Sequence, residues 1–145
     1  MASIRDLLNV KGQHVINIAS HATVYAAATL MNEHKIGSVM VLEDGRLIGI
    51  LTERDILVSI VAGQRDANTT RVGEVMTNDV VCCRPHTTLE EARGVMKHRR
   101  IRHLPVVSDE GEVVGRISIG DLNAHQADTQ ERTICLLQEY IYGYV

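Results

Sequence analysis

The stretch Gly49-Ile-Leu-Thr-Glu-Arg-Asp55 returns, altered but in register, as Gly115-Arg-Ile-Ser-Ile-Gly-Asp121. Each reads as an apolar strand that leaves a glycine and runs into a hydroxyl-x-x-acid sequence, the spacing of a helix N-terminus. Working outward, the repetition extends over nearly the whole chain, and such self-similarity defines the fold before any single element does. Upstream, Val15 to Asp44 corresponds to Val80 to Asp109 at a constant offset. The identities are Val15/Val80, His21/His86, Thr23/Thr88, Ala27/Ala92, Met31/Met96, Ile36/Ile101, Val41/Val106 and Asp44/Asp109. The second copy then gains one residue, and Gly45/Gly111, Gly49/Gly115 and Asp55/Asp121 follow in register. The lead-ins Ile4-Arg-Asp-Leu-Leu8 and Val72-Gly-Glu-Val-Met76 match more loosely.

Both copies carry the same local signals. Val15–Ile18 and Val80–Cys83 read as short strands. Thr23 to His34 reads as a helix with Val24, Ala27, Ala28 and Met31 on one face, and Thr88 to Arg99 is its counterpart. In the latter, Thr88 and Glu91 have the spacing of a capping box. Ser38–Leu42 and His103–Val107 read as apolar strands, followed by turns at Glu43-Asp-Gly45 and Ser108-Asp-Glu-Gly111. Return strands at Leu47–Leu51 and Val113–Ile117 lead to second helices near Arg54–Val61 and Asp121–His125. Each unit is therefore strand, helix, hairpin, helix, and the fold class is α/β (α+β). A unit of about 60 residues is marginal as an independent core. Two copies are expected to pack about a pseudo-twofold axis. The division is residues 1–66 and 67–128, joined through the polar stretch Ala62 to Thr70. Residues 129–145 carry Ile134, Leu137 and Ile141 at helix spacing, which predicts an amphipathic C-terminal helix.

Composition narrows the functional classes. With 45% hydrophobic residues the 145-residue chain is rich enough for a packed core. Its net charge of -3 supplies no overall positive field for nucleic acid. No apolar run reaches the roughly 18 residues of a membrane span, and Met1 to Val10 lacks the pattern of a secretory signal. Cys82, Cys83 and Cys135 are therefore expected to be reduced thiols of a cytoplasmic protein. Adjacent residues of a strand point to opposite faces, and no Cys-x-x-Cys is present, so neither zinc nor redox chemistry is indicated. The scattered histidines form no His-x-x-x-His pattern, and no nucleophile sits with a base and an orienting acid, so no enzyme is indicated.

Two readings stand for Thr52-Glu-Arg-Asp55 and Ser118-Ile-Gly-Asp121. Each is a helix cap, the hydroxyl accepting a backbone N–H and the acid favouring the positive end of the helix dipole. The same geometry can hold a phosphate on free N–H groups and hydrogen-bond the hydroxyls of a ribose through the acid. The run Lys97-His-Arg-Arg100 with Arg102 and His103 is basic. Cations at a helix end account for Lys97 and Arg99, but less well for Arg102 and His103, which enter the strand.

Together these motifs, with Arg99-Arg-Ile-Arg-His-Leu-Pro-Val-Val107, resemble the tandem cystathionine-β-synthase (CBS) domain pair, or Bateman module, in a stand-alone form. The resemblance covers nearly all of residues 1–125. It implies that Asp55 and Asp121 hold ribose, with Thr52 and Ser118 beside them, and that Arg100, Arg102 and His103 contact phosphate. It implies that adenine lies in the cleft between repeats, against Asn17, Ile18 and Ser20 in copy one and Cys82, Pro85 and His86 in copy two. Walls would come from Ile36 to Val39, with Gly37 and Ser38 between them, and from Ile101 to Pro105, Leu104 included. Ser20 and Met40 stand where copy two has Pro85 and Pro105, so both prolines fall in the second copy. The implied ligand is an adenosine nucleotide, AMP first, with ADP, ATP or NAD(H) as alternatives. The implied assembly is a homodimer acting on a regulated protein of unknown identity, with no nucleic-acid or membrane partner. A ligand-independent dimerisation or protein-interaction module is the alternative, and a small enzyme or redox protein using its cysteines is the third class.

Overall fold

The computed structural model describes residues 2–11 and 15–126. In chain order the elements are α1 (Ile4–Lys11), β1 (Asn17–Ala19), α2 (Val24–His34), β2 (Ser38–Glu43), β3 (Arg46–Thr52) and α3 (Glu53–Ile56), which widens into π-helical turns over Leu57–Ala62. There follow α4 (Val72–Val75), α5 (Leu89–Arg99), β4 (His103–Val107), β5 (Val113–Ser118) and α6 (119–126). The helix expected over 129–145 lies outside the described residues. The fold is the expected α/β pair of repeats. No helix among the described residues is long and apolar enough to cross a membrane.

The long helices begin and end as local chemistry dictates. The Thr23 and Thr88 hydroxyls accept from the N–H groups of Ala26 and Glu91, each at 3.1 Å. Both helices close on a left-handed residue, Lys35 (φ 53°) and Arg100 (φ 56°). The next N–H, of Ile36 or Ile101, returns to the carbonyl of Met31 or Met96 at 3.0 Å. In repeat one, β2 lies between β1, parallel to it, and β3, antiparallel to it. A central strand is covered on both faces, and Ser38 to Val41 are all buried. Asp44 and Gly45, both at positive φ, make the two-residue hairpin turn.

Repeat two departs from this plan at one strand. Among the described residues only β4 and β5 form its sheet, and the strand expected at Val80–Cys83 is reduced to a single parallel bridge, Cys83 with Val106. Cys83 donates to the Pro105 carbonyl and Val107 donates to the Cys83 carbonyl, both at 2.9 Å. In a parallel ladder the next bonds would come from the N–H groups of residues 105 and 85. Both are proline and have none. In copy one, Met40 and Ser20 occupy those places and β1 forms.

The two cores are not contiguous in sequence, because the lead-in helices are exchanged. Helix α1 belongs to the core of repeat two: Ile4, Leu7 and Leu8 pack with Cys83, Ala92, Met96, Leu104, Val106, Ile117 and Leu122. Its backbone is tied there, Ile4 N–H to the Thr87 carbonyl at 2.8 Å and Arg5 N–H to the Pro85 carbonyl at 2.9 Å. Helix α4 belongs to repeat one: Val72 is buried with Ala27, Met31, Val39, Val41 and Leu51. Val72 and Gly73 donate to the carbonyls of Ala22 and Ser20. Burying an aliphatic side chain contributes about 1.5–3 kcal/mol, so each lead-in stabilises the opposite repeat substantially. The repeated glycines are fitted to this exchange. A methyl on Gly115 would stand 2.7 Å from Leu8, and one on Gly49 would stand 2.5 Å from Met76. Equivalent residues meet on the pseudo-axis, where Arg46 pairs with Glu112.

Candidate functional site

The hairpins of both repeats and the starts of α3 and α6 enclose a cleft of about 740 Å³. Its walls are matched pairs from the two copies: Lys35 and Arg100, Ile36 and Ile101, Gly37 and Arg102, Ser38 and His103, Thr52 and Ser118, Glu53 and Ile119, Arg54 and Gly120. Thr77 to Val81 supply Thr77, Asp79, Val80 and Val81 as one further side, and Ile50 and Pro105 also line it. Among its described lining residues, the cations Lys35, Arg54, Arg100 and Arg102 face the acids Glu53 and Asp79, so the cleft favours an anion. The two halves differ in charge. Copy one sets a carboxylate against Gly37, whose added Cβ would stand 3.3 Å from Glu53 Cδ. Copy two has Ile119 and Arg102 in those places. Lys35 and Arg100 adopt a left-handed conformation that glycine usually fills at a helix end, so each repeat tolerates strain to keep a cation at the cleft.

Both hydroxyl-x-x-acid sequences form reciprocal caps. Asp55 N–H donates to the Thr52 hydroxyl at 3.1 Å, and the Asp55 carboxylate accepts the Thr52 N–H at 2.9 Å. Ser118 and Asp121 repeat the arrangement at 3.1 and 2.8 Å. The Asp55 carboxylate also accepts from the Thr77 hydroxyl, at 3.1 and 3.2 Å to its two oxygens. Thr77 therefore links the cleft wall to an acid that is not itself in the wall.

Of the residues singled out from the sequence, Ile36, Gly37, Ser38, Thr52, Arg100, Arg102, His103, Pro105 and Ser118 come together in the cleft. Asp55 and Asp121 stand immediately beside it through their caps. Asn17, Ile18, Ser20, Cys82, Pro85, His86 and Leu104 are not among its lining residues. Ser20 and Pro85 are instead used by their carbonyls to hold the exchanged lead-ins. Leu104 is wholly buried in the core of repeat two, and His86 is exposed within 3.9 Å of Asp109. Cys82 is exposed and Cys83 buried. Burial, and then the neighbouring Cys82, push the Cys83 thiol up to about 12, so it is inert near neutral pH. No group of three or more His, Cys, Asp or Glu among the described residues is placed to hold a metal ion.

One residue of the site escaped the sequence reading. Arg116 stands where copy one has Ile50, in the middle of an otherwise apolar strand, and that substitution was its only trace. Its Nη1 donates to the Ser38 carbonyl of the opposite repeat at 2.8 Å, and its Nη2 lies 2.9 Å from His103 Nδ1. Burial lowers its pKa from the ordinary arginine value, and the Asp121 carboxylate opposes that shift. Ser38 is buried in the cleft wall, and its Oγ has no hydrogen-bond partner among the described residues. A buried hydroxyl without a partner costs free energy that a bound polar atom would recover.

Comparison with known proteins agrees with the repeat structure. The model of the CBS domain family matches residues 3–62 and again 72–128. CBS domain-containing protein YhcV of Bacillus subtilis (strain 168) is 36% identical over 130 residues, covering 90% of this chain and 89% of that protein. The crystal structure of the CBS domain NE2398 superposes with a TM-score of 0.83 at 35% identity, over 88% of this chain and 99% of the other. CBSX2, solved in complex with AMP, superposes with a TM-score of 0.75 over 90% of this chain and 99% of the other, at 22% identity, a likeness of fold.

Proposed function

This chain belongs to the CBS domain family, and we propose that it is a cytoplasmic regulatory module whose inter-repeat cleft binds an adenosine nucleotide. The observation that carries this reading is the cleft itself. Its volume lies within the range of small-molecule sites. Among the described residues, cations outnumber acids on its walls, two capped helix starts flank it, and the Ser38 hydroxyl in its wall has no hydrogen-bond partner. That CBSX2, of the same fold, was crystallised with AMP supports the ligand class. AMP is the first choice, with ADP, ATP or NAD(H) after it. In this reading Asp55 and Asp121 take ribose hydroxyls, while Arg100, Arg102 and Lys35 take phosphate. The chain acts as a sensor, the ligand favouring one pose of the repeats over another and altering contact with a regulated protein, and it performs no catalysis.

Calorimetric titration with AMP, ADP, ATP, NAD and NADH, with GMP as control, tests the reading. Saturable binding of one adenosine ligand and none of GMP is expected, with binding lost in Asp121→Ala. That variant would also lose about 1 kcal/mol of stability through its cap. Absence of heat and of thermal stabilisation with every ligand would overturn it.

A second observation favours self-association. Leu57, Val58 and Val61 are 58%, 56% and 64% exposed on the π-helical turns that extend α3. An apolar face of this kind suits a second copy of the chain, and sedimentation velocity of a Val61→Glu variant tests the homodimer.

A further inference from the structure

The cleft is nearly symmetric in its backbone and asymmetric in one brace. Ser38 and His103 are equivalent residues, each the first of a hairpin strand, and both line the cleft. A single guanidinium spans them, Nη1 to the Ser38 carbonyl at 2.8 Å and Nη2 to His103 Nδ1 at 2.9 Å. Copy one has no such group, because Ile50 occupies the position equivalent to Arg116. Arginine is always protonated in a protein and can only donate, so the imidazole accepts through Nδ1 and carries its own proton on Nε2. The brace thus fixes three things at once. It sets the spacing of the two walls, it selects the His103 tautomer, and it holds the Ser38 backbone while leaving the Ser38 hydroxyl without a partner among the described residues.

We propose that Arg116 is the positioning residue of the cleft, presenting the Ser38 hydroxyl to a polar atom of the bound ligand. The proposal rests on the adenosine-nucleotide reading of the same cleft. Arg116 is not among the residues lining the cleft, so it acts through Ser38 and His103. The Asp121 carboxylate favours its charged form, which places the brace under the influence of the acid assigned to ribose.

The test uses the full chain with Arg116→Ile, which copies the residue of repeat one, Arg116→Lys, which keeps the charge and loses the fork, Ser38→Ala, and the double variant Arg116→Ile/Ser38→Ala. AMP affinity is measured by calorimetry, and folding by circular dichroism and thermal unfolding. A single positioned hydrogen bond corresponds to about a three- to tenfold change in affinity. Arg116→Ile and Ser38→Ala are each expected to weaken AMP by that factor, and the double variant no further, because both remove the same contact. Arg116→Lys should fold with a wild-type spectrum and weaken AMP by a smaller factor. Equal affinities in wild type and both Arg116 variants, or losses that multiply in the double variant, would overturn the proposal. Wild-type protein that binds no adenosine ligand would instead overturn the reading on which it rests. If Arg116→Ile does not fold, Arg116→Lys and Ser38→Ala decide the matter between them.

Discussion

Gly115→Ala is the substitution that probes the architecture most directly. Gly115 is buried on β5, and a methyl there would stand 2.7 Å from Leu8 Cδ2 and 3.2 Å from Leu8 Cδ1. Leu8 cannot swing clear, since it is 2% exposed and packed in the core of repeat two. Overpacking of this kind costs about 1–3 kcal/mol. At about 4 °C per kcal/mol for a chain of this size, Tm should fall by roughly 4–12 °C. Leu8→Ala alone empties the same place and costs about 2–5 kcal/mol. The two changes are complementary in shape, so the double variant should be more stable than their sum predicts, by about 1–3 kcal/mol. Urea unfolding of the four proteins in the cycle measures this term. Gly49→Ala with Leu8→Ala is the control, because Gly49 abuts Met76 and not Leu8, and that pair should be additive. Strict additivity of Gly115→Ala with Leu8→Ala, or a neutral Gly115→Ala, would refute the placement of α1 on the opposite repeat.

Two further outcomes follow from the titrating groups. In a Cys135→Ser background at about pH 8, a maleimide should modify exposed Cys82 in the native protein and reach Cys83 only on unfolding, since the Cys83 thiol is buried and its pKa pushed up to about 12; peptide mass mapping with equal labelling of both would contradict this. Hydrogen bonds from the Thr88 side chain, and then its N–H, lower the pKa of Glu91 below its ordinary value of 4.5. The folded form then binds its proton less readily than the unfolded form, so the contribution is present above about pH 4.5 and lost as pH falls through the lower folded value. Denaturant unfolding of Glu91→Gln between about pH 6 and pH 3 should show a shallower loss of stability than wild type, and an equal slope would count against the cap.

The sequence spelled out whatever is decided locally. The caps at Thr88, Thr52 and Ser118 and the turn at Glu43-Asp-Gly45 answer to short-range chemistry, whereas the cleft residues Ile36 to Ser38 and Arg100 to His103 were reached through the family resemblance. The exchange of lead-ins is different in kind. Ile4 to Leu8 and Val72 to Met76 match each other, so either could complete either core, and apolar spacing does not say which. Gly49 and Gly115 recorded that something packs closely there, but not what. The shortened first strand of repeat two was legible in principle, since Pro85 and Pro105 remove the two N–H groups that would extend its ladder. The fork of Arg116 was not, because its partners lie on another strand of its own repeat and on the opposite repeat.

The exchange also limits how this molecule can respond to a ligand. Any motion that carried α1 away with repeat one would expose Ile4, Leu7 and Leu8 of the repeat-two core. At about 1.5–3 kcal/mol for each side chain, that costs roughly 5 kcal/mol or more. Coupling between a ligand and a conformational change is typically about 1–3 kcal/mol. A ligand coupled by that amount does not draw the lead-ins out of the opposite cores. What it can shift are features held by one or two hydrogen bonds: the left-handed ends at Lys35 and Arg100, the Thr77 contact to Asp55, and the Arg116 brace. Each of these lies in the cleft wall or next to it. In the proposed sensor reading, the signal is therefore a small displacement of the cleft walls, read by a surface close to α3 and α6.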